Sequence, residues 1–208
     1  MTKEKNQGPL KGLTVLDLTR VLAGPYATMV LSDLGARIIK VEPPMGDDSR
    51  EFSPFIDEQS AYFASLNREK ESIKIDLKDE KDKIIFDALL EKSDILIENY
   101  KPGTMAKLGY GYEKLSKKFP NLIYASCSGF GQTGPWASKP AYDMIVQGMG
   151  GLMSVTGHEG LEPVRVGTSI GDITAGLFTT IGILAALIDK KNTNKGQSID
   201  ISMLDCQI

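Results

Sequence analysis

Histidine is almost missing from this chain: His158 is the only one among 208 residues. Ser-His-Asp and Cys-His machinery needs an imidazole beside its nucleophile. His158 lies in the polar, turn-like stretch Thr156-Gly-His-Glu-Gly160 and reads as a surface-loop residue. Zinc sites need clustered histidines and cysteines, so no metal is expected. Cysteine is scarce as well. Cys127 and Cys206 are too few for a disulfide framework; in apolar surroundings they read as buried free thiols and fit a reducing, cytoplasmic compartment. Neither sign of charge dominates: 24 basic and 27 acidic residues leave a net charge of −3. Mixed charge of that kind supplies no footprint for nucleic acid or for a basic membrane-binding face. Long apolar runs are missing too; the longest, about residues 175–188, reads as too short and punctuated to span a bilayer. The opening MTKEKNQGPLKG has no apolar core and does not read as a signal peptide. Residues 1–9 are expected to form a flexible tail.

What remains is an ordinary globular composition with a clear rhythm. The apolar fraction is 41% and the charged fraction 25%, enough for one substantial core. Strand-like and helix-like segments alternate. Residues 13–18 (LTVLDL) read as a buried strand, Gly24-Pro25 opens a helix closed by Gly35, and residues 37–42 (RIIKVE) form the next strand. Further strands are expected at 72–77 (SIKIDL), 95–98 (ILIE), 122–126 (LIYAS) and 197–203 (QSIDISM). Helices are expected at 79–93, 104–118 and 172–189. Near-continuous apolar strands between helices predict an α/β fold, a Rossmann-like, doubly wound and mostly parallel sheet with helices on both faces.

After Ser126 glycine becomes dense, which predicts loops and close backbone approach. Gly129-Phe-Gly131-Gln-Thr-Gly134 matches GxGxxG and follows a strand. In a dinucleotide fold the third glycine opens a helix whose N-terminus holds the pyrophosphate. Here Pro135 and Trp136 follow, so a loop over a site is the better reading. The strongest local feature is Ser169-Ile-Gly171-Asp172-Ile-Thr-Ala-Gly176, an acid at the start of an apolar helix. Asp172 reads either as the helix N-cap, or as a functional carboxylate stabilised by the helix N-terminus and reached by a bulky ligand through room left by the flanking glycines.

Several long motifs, in order, resemble the class III CoA-transferase family (the CaiB/BaiF type), which includes formyl-CoA and crotonobetainyl-CoA transferases. The carriers are LKGLTVLDLTRVLAGPYATMVLSDLGARIIKVE, SLNREKESIKIDLK, DILIENYKPGTMAKLGYGYEKL, SGFGQTGP, KPAYD, SIGDITAGLFTTIGILAAL and KGQSIDISM. The resemblance implies a CoA-binding large domain over residues 10–208. It also implies CoA and acyl-CoA as substrate, a carboxylic acid as acceptor, and Asp172 as nucleophile. Covalent catalysis through an aspartyl-CoA thioester needs an ionised, accessible acid and no general base, so the lone histidine is no obstacle.

By motif, the resemblance puts Arg20, Val21, Leu22 and Ala23 beside the pantetheine arm and nucleotide. Pro43 falls at the adenosine side, and Ile75, Asp76, Leu77 and Lys78 at the adenine and ribose phosphate. Asn99, Tyr100, Lys101 and Lys107 follow the ILIE strand, with the lysines as phosphate partners. Taken without the resemblance, each lysine reads as a solvated surface charge. Tyr142 and Asp143 fall near the thioester. Two departures bear on binding. Leu22 replaces a polar residue found in some oxalate-using members, which argues against oxalate or formate as the acid. Pro43 stands where some members carry arginine, which weakens that CoA contact. The related α-methylacyl-CoA racemases carry a histidine at the position of Tyr142, so transfer is expected rather than racemisation. Members of the family run to about twice this length and interlock as homodimers, with a second small domain. A chain ending at Ile208 is therefore expected to be a fragment or one half of a split enzyme, without robust turnover of its own.

Overall fold

The computed structural model describes residues 7–208. The rest of the expected tail, residues 1–6, lies outside the described residues. In chain order the strands are β1 (Thr14–Asp17), β2 (Arg37–Glu42), β3 (Phe55–Ile56), β4 (Gln59–Ser60), β5 (Glu71–Lys74), β6 (Ile95–Glu98), β7 (Ile123–Ser128) and β8 (Ser198–Ser202). The helices are α1 (Ala23–Asp33), α2 (Ala61–Asn67), α3 (Glu80–Leu90), α4 (Thr104–Leu108), α5 (Tyr112–Lys118), α6 (Asp143–Met149) and α7 (Ile170–Thr193). β3 and β4 form a small antiparallel hairpin. The other six strands form one sheet in the order β5-β2-β1-β6-β7-β8, and every pairing is parallel.

Both sheet faces are buried, and the side-chain alternation of each strand feeds two separate cores. Val15, Ile38, Ile95, Ile97 and Ile123 point into a layer built with α1 and α7 through Ala27, Leu31 and Ile183. Leu16, Ile39, Leu96 and Tyr124 point the other way, onto Phe86 and Leu90 of α3 and Leu115 of α5. A one-residue slip of any central strand would exchange these two sets. The doubly wound fold is as expected from the sequence.

Several boundaries differ from the sequence reading, each for a local reason. The strand expected at 72–77 runs from Glu71 to Lys74; Ile75 still donates its N–H to the Glu42 carbonyl, and Ile75 and Leu77 continue into the core as loop residues. The helix expected at 104–118 is two helices. Gly109 adopts φ 89° and closes α4, and a Cβ on Gly111 would lie 3.0 Å from the Ala106 Cα. The hairpin, α2 and α6 had no strong periodicity in the sequence. The last long helix starts at Ile170 and reaches Thr193, longer than expected. Its length and mean hydropathy of 1.7 would suffice to cross a membrane, contrary to the expectation from the sequence. It nevertheless packs as a core helix, burying Ala175, Thr179 and Ile183 against α1 and the sheet.

Candidate active site

β1 lies between β2 and β6, so the chain leaves it towards opposite edges of the sheet. In open α/β sheets the crevice beyond the strand C-termini at such a reversal is the ligand site. Here a cavity of about 260 Å³ sits at that point, between the loop after β1, the loop after β6, the end of β7 and the start of α7.

The loop after β1 is held by its neighbours at every residue. Thr19 N–H donates to Asp17 Oδ1 at 2.9 Å. Arg20 is gripped twice by Asn99: its N–H donates to Oδ1 at 2.9 Å, and its carbonyl accepts from Nδ2 at 2.8 Å. Val21 sits at φ 66°, a left-handed conformation that is an outlier for a β-branched side chain. Its N–H donates to Asp47 Oδ1 at 3.2 Å. Asp47 in turn pairs with Lys40 at 2.8 Å, both side chains being fully buried, and Lys40 Nζ also donates to the Thr19 carbonyl at 2.8 Å. Local preference would relax Val21, but that would break its bond to Asp47 and disturb the neighbouring bonds of Arg20; these tertiary hydrogen bonds over-determine it.

Beneath the loop lies an ionic core. Lys70 Nζ reaches Asp17 Oδ2 at 3.2 Å, Thr28 Oγ1 at 2.7 Å and the Pro25 carbonyl in α1 at 3.0 Å. Burial opposes charge on Asp17, yet Lys70 and Lys40 outweigh it and hold its carboxyl below the usual value. Burial pulls the Lys70 ammonium down to about 8 against the pull of Asp17. On β2, Glu42 is opposed by burial but held at about 2 by the Arg50 guanidinium, by Ser72 and by the Asp47 N–H. These charges are paired because burying an unpaired one is prohibitive.

Asp172 lies in the first turn of α7, two residues inside the helix, and the N-cap is Ser169. The cap reading of Asp172 is thereby corrected. The backbone N–H of Ala23, at the start of α1, lies near enough to the Asp172 carboxyl to favour its ionised form. Burial chiefly, and then the nearby Asp143, push its pKa up to about 6, with the Ala23 N–H working the other way. The flanking glycines do not make room for a ligand, which corrects that part of the sequence reading. A Cβ on Gly176 would lie 2.6 Å from the Ala23 carbonyl oxygen, and one on Gly171 would lie 2.6 Å from Val146 Cγ2. They let α7 approach α1 and α6, and so bring Asp172 to the Ala23 N–H.

The 260 Å³ cavity gathers Arg20, Val21, Leu22, Ala23, Asn99, Tyr100, Lys101, Tyr142 and Asp143 around Asp172. Asp143 has both oxygens engaged, with Gly171 N–H at 2.8 Å and Gln147 Nε2 at 2.7 Å, so it buttresses the α7 N-terminus. Arg20 stacks over the Tyr100 ring at 5.3 Å and pairs with exposed Asp48 at 3.3 Å. Pro43, Ile75, Asp76, Leu77 and Lys78 line a second cavity of about 280 Å³, and Tyr100 borders both. Lys107, exposed on α4, lines neither cavity. The Gly129–Gly134 stretch runs into a loop without a helix, as Pro135 and Trp136 after it suggested. His158 is exposed, Cys127 is buried and Cys206 half-buried, both as free thiols. Among the described residues no three His, Cys, Asp or Glu side chains are grouped to hold a metal ion.

Sequence reasoning missed Ser128 and Lys139, which also line the cavity around Asp172, and the whole Asp17–Lys40–Asp47–Lys70 network. One signal for the network was available. Lys40 and Glu42 interrupt an apolar strand, and a charge on a strand covered on both faces must meet a partner.

Comparison with known proteins now joins this geometry. The model of CoA-transferase family III matches residues 10–208. The chain is 53% identical over 206 residues to an acetyl-CoA:oxalate CoA-transferase of Acetobacter aceti, covering 98% of this chain and 53% of that protein. It is 45% identical over 205 residues to the human succinyl-CoA:glutarate CoA-transferase, covering 98% and 47%. A crystal structure of a CaiB/BaiF family protein from Brucella suis superposes with a TM-score of 0.92 at 44% identity, covering 96% of this chain and 54% of that one. The chain thus spans about half the length of these relatives. With a family model matched from Leu10 to the last residue, and with the superposed fold and the ordered motifs in agreement, this chain belongs to CoA-transferase family III.

Proposed function

We propose that this chain carries the CoA-binding and nucleophile-bearing part of an acyl-CoA:carboxylate CoA-transferase. The observation that supports it most is Asp172. It is a carboxyl raised to about 6, ionised at neutral pH yet more basic than an exposed aspartate, facing a cavity at the switch point. In this reading one Asp172 oxygen attacks the thioester carbonyl of an acyl-CoA. The carbon–sulfur bond breaks, CoA leaves as thiolate, and a mixed anhydride remains. The thiolate then attacks the Asp172 carbonyl carbon. The acyl group departs as a carboxylate with one former Asp172 oxygen, and an aspartyl-CoA thioester is left. An acceptor carboxylate reverses both steps. No proton transfer is required, so the absence of histidine from the cavity lining costs nothing.

The pantetheine arm runs along residues 20–23, with the nucleotide over Pro43 and residues 75–78. Arg20, Lys78, Lys101 and Lys107 meet its phosphates as charge-assisted partners. The acceptor is a small carboxylic acid. The named relatives act on oxalate and glutarate, and Leu22, which lines the cavity, makes it less polar than an oxalate site would be in this reading. The protein works in the cytoplasm. It assembles as a homodimer that covers Phe178, Ile181 and Ile188 on the outer face of α7, which are 49%, 57% and 65% exposed here. The first half-reaction, from acyl-CoA to the aspartyl-CoA thioester, calls only on the residues named above. Incubation with an acyl-CoA and hydroxylamine tests it: a hydroxamate on Asp172, missing from Asp172→Asn, supports the proposal. CoA binding without any hydroxamate supports instead a non-catalytic CoA-binding module. Racemase activity is disfavoured by Tyr142, which leaves the cavity without a histidine.

A further inference from the structure

We infer that Ser128 is a ligand-binding residue of this site, and that its hydroxyl donates a hydrogen bond to a carbonyl oxygen of the bound CoA arm. The inference rests on the proposed CoA site. Ser128 is the last residue of β7, 6% exposed, and lines the same cavity as Asp172. Its carbonyl is used, accepting from Met203 N–H at 2.8 Å. Its Oγ has no partner although it is buried. Folded chains rarely leave a buried hydroxyl unpaired, because water is lost and nothing replaces it.

The surroundings say why no neighbour completes it. Gly129, the next residue, lies so close to the loop above that a Cβ there would be 2.4 Å from Ala141 Cβ. The loop carrying Ala141 and Tyr142 thus lies directly against the end of β7. Of the other polar groups on the wall, the Asn99 amide is committed to Arg20, and both Asp143 oxygens to Gly171 and Gln147. Cys127 and Met203, beside Ser128, offer only sulfur. The Ser128 hydroxyl is a buried neutral donor without a protein partner, on a residue that lines the cavity. A thioester placed for attack by Asp172 brings a carbonyl oxygen into that space, and the pantetheine arm brings two amide carbonyls. All are acceptors that a hydroxyl donor fits.

The test compares the wild-type chain with Ser128→Ala in two measurements, ligand affinity by calorimetry and thermal midpoint without ligand. Affinity is measured for CoA, which carries only the amides, and for acetyl-CoA, which adds the thioester. The expected result has two opposite parts. Ser128→Ala binds about 3- to 10-fold more weakly, where tenfold corresponds to about 1.4 kcal/mol. Its unliganded midpoint is unchanged or higher, because an unpaired buried hydroxyl has been removed. A loss for acetyl-CoA alone assigns the bond to the thioester carbonyl, and a loss for both assigns it to a pantetheine amide. Equal affinity of the two proteins for both ligands overturns the inference, as does a midpoint lowered by several degrees with affinity unchanged, which is the mark of a structural serine. If the wild-type chain binds neither ligand, the proposed CoA site itself fails and the inference falls with it.

Discussion

Asp172→Asn should make this chain more stable, and by an amount that depends on pH. The Asp172 carboxyl titrates near 6 in the folded chain, chiefly because it is buried and next because Asp143 stands close. In the unfolded chain it titrates near its ordinary value of about 3.9. The folded state therefore holds this proton more tightly than the unfolded state. Ionisation penalises folding fully above pH 6, the penalty fades between 6 and 4, and it is gone below. Linkage gives about 2–3 kcal/mol at pH 8, and solvent at the cavity mouth lowers that towards about 2 kcal/mol. Asparagine keeps the volume and an oxygen for the Ala23 N–H while removing the charge. Urea denaturation of both proteins at pH 8 and pH 4.5 measures the difference. The substituted chain is expected to lead by about 2 kcal/mol at pH 8 and by less than half of that at pH 4.5. Other titrating groups, such as Glu98 at about 7, are common to both chains and cancel. A less stable Asp172→Asn at pH 8, or an advantage that ignores pH, would refute the reasoning. The sign matters for function, since a nucleophile held at the expense of stability is the usual signature of an active site.

Three further predictions concern how that site is held. Lys40→Met leaves Asp47 charged and buried without its ion pair, and should cost about 3–5 kcal/mol in chemical denaturation; a loss under about 1 kcal/mol would show that the pair does not hold the loop. Gly176→Ala forces a Cβ to 2.6 Å from the Ala23 carbonyl, a backbone atom that cannot rotate away. The expected loss is about 1–3 kcal/mol, with the Asp172 titration moving above 6 as the Ala23 N–H is displaced, which carboxyl NMR would detect. Glu42 is held at about 2 although burial opposes its charge, against about 4.3 when unfolded. It thus contributes about 2–3 kcal/mol above pH 4.3 that is lost as pH falls towards 2. Glu42→Gln should lose most of its deficit relative to wild type in acid denaturation near pH 2, and a deficit constant with pH would contradict the pairing with Arg50.

Much of the fold was legible because a parallel sheet buried on both faces writes its strands as apolar runs between turn residues. β1, β2, β6 and β7 came through in that way. The small hairpin and α6 did not, being too short to show a period. The position of Asp172 was legible through its ordered motifs, while its surroundings were not. A glycine in the sequence reports a missing Cβ but not which neighbour fills the gap. At Gly171 and Gly176 the neighbours are Val146 and Ala23, so the spaces read as ligand room are helix contacts. Val21 was opaque for a related reason. Nothing local forces a valine to φ 66°; Asp47, Lys40 and Asn99 do so from distant parts of the chain. Ser128 was invisible because an unpaired hydroxyl is a property of packing, and serine at a strand end is otherwise unremarkable.

The central claim, that Asp172 is the nucleophile of a CoA-transferase site, is tested most directly by intact-protein mass spectrometry of this chain after incubation with an acyl-CoA. The account predicts a mass increase equal to CoA less one water, mapped by peptide fragmentation to Asp172, converted by hydroxylamine to a hydroxamate there, and missing from Asp172→Asn. A wild-type chain that binds acyl-CoA tightly across a panel of donors, yet never gains that mass on Asp172, would contradict it.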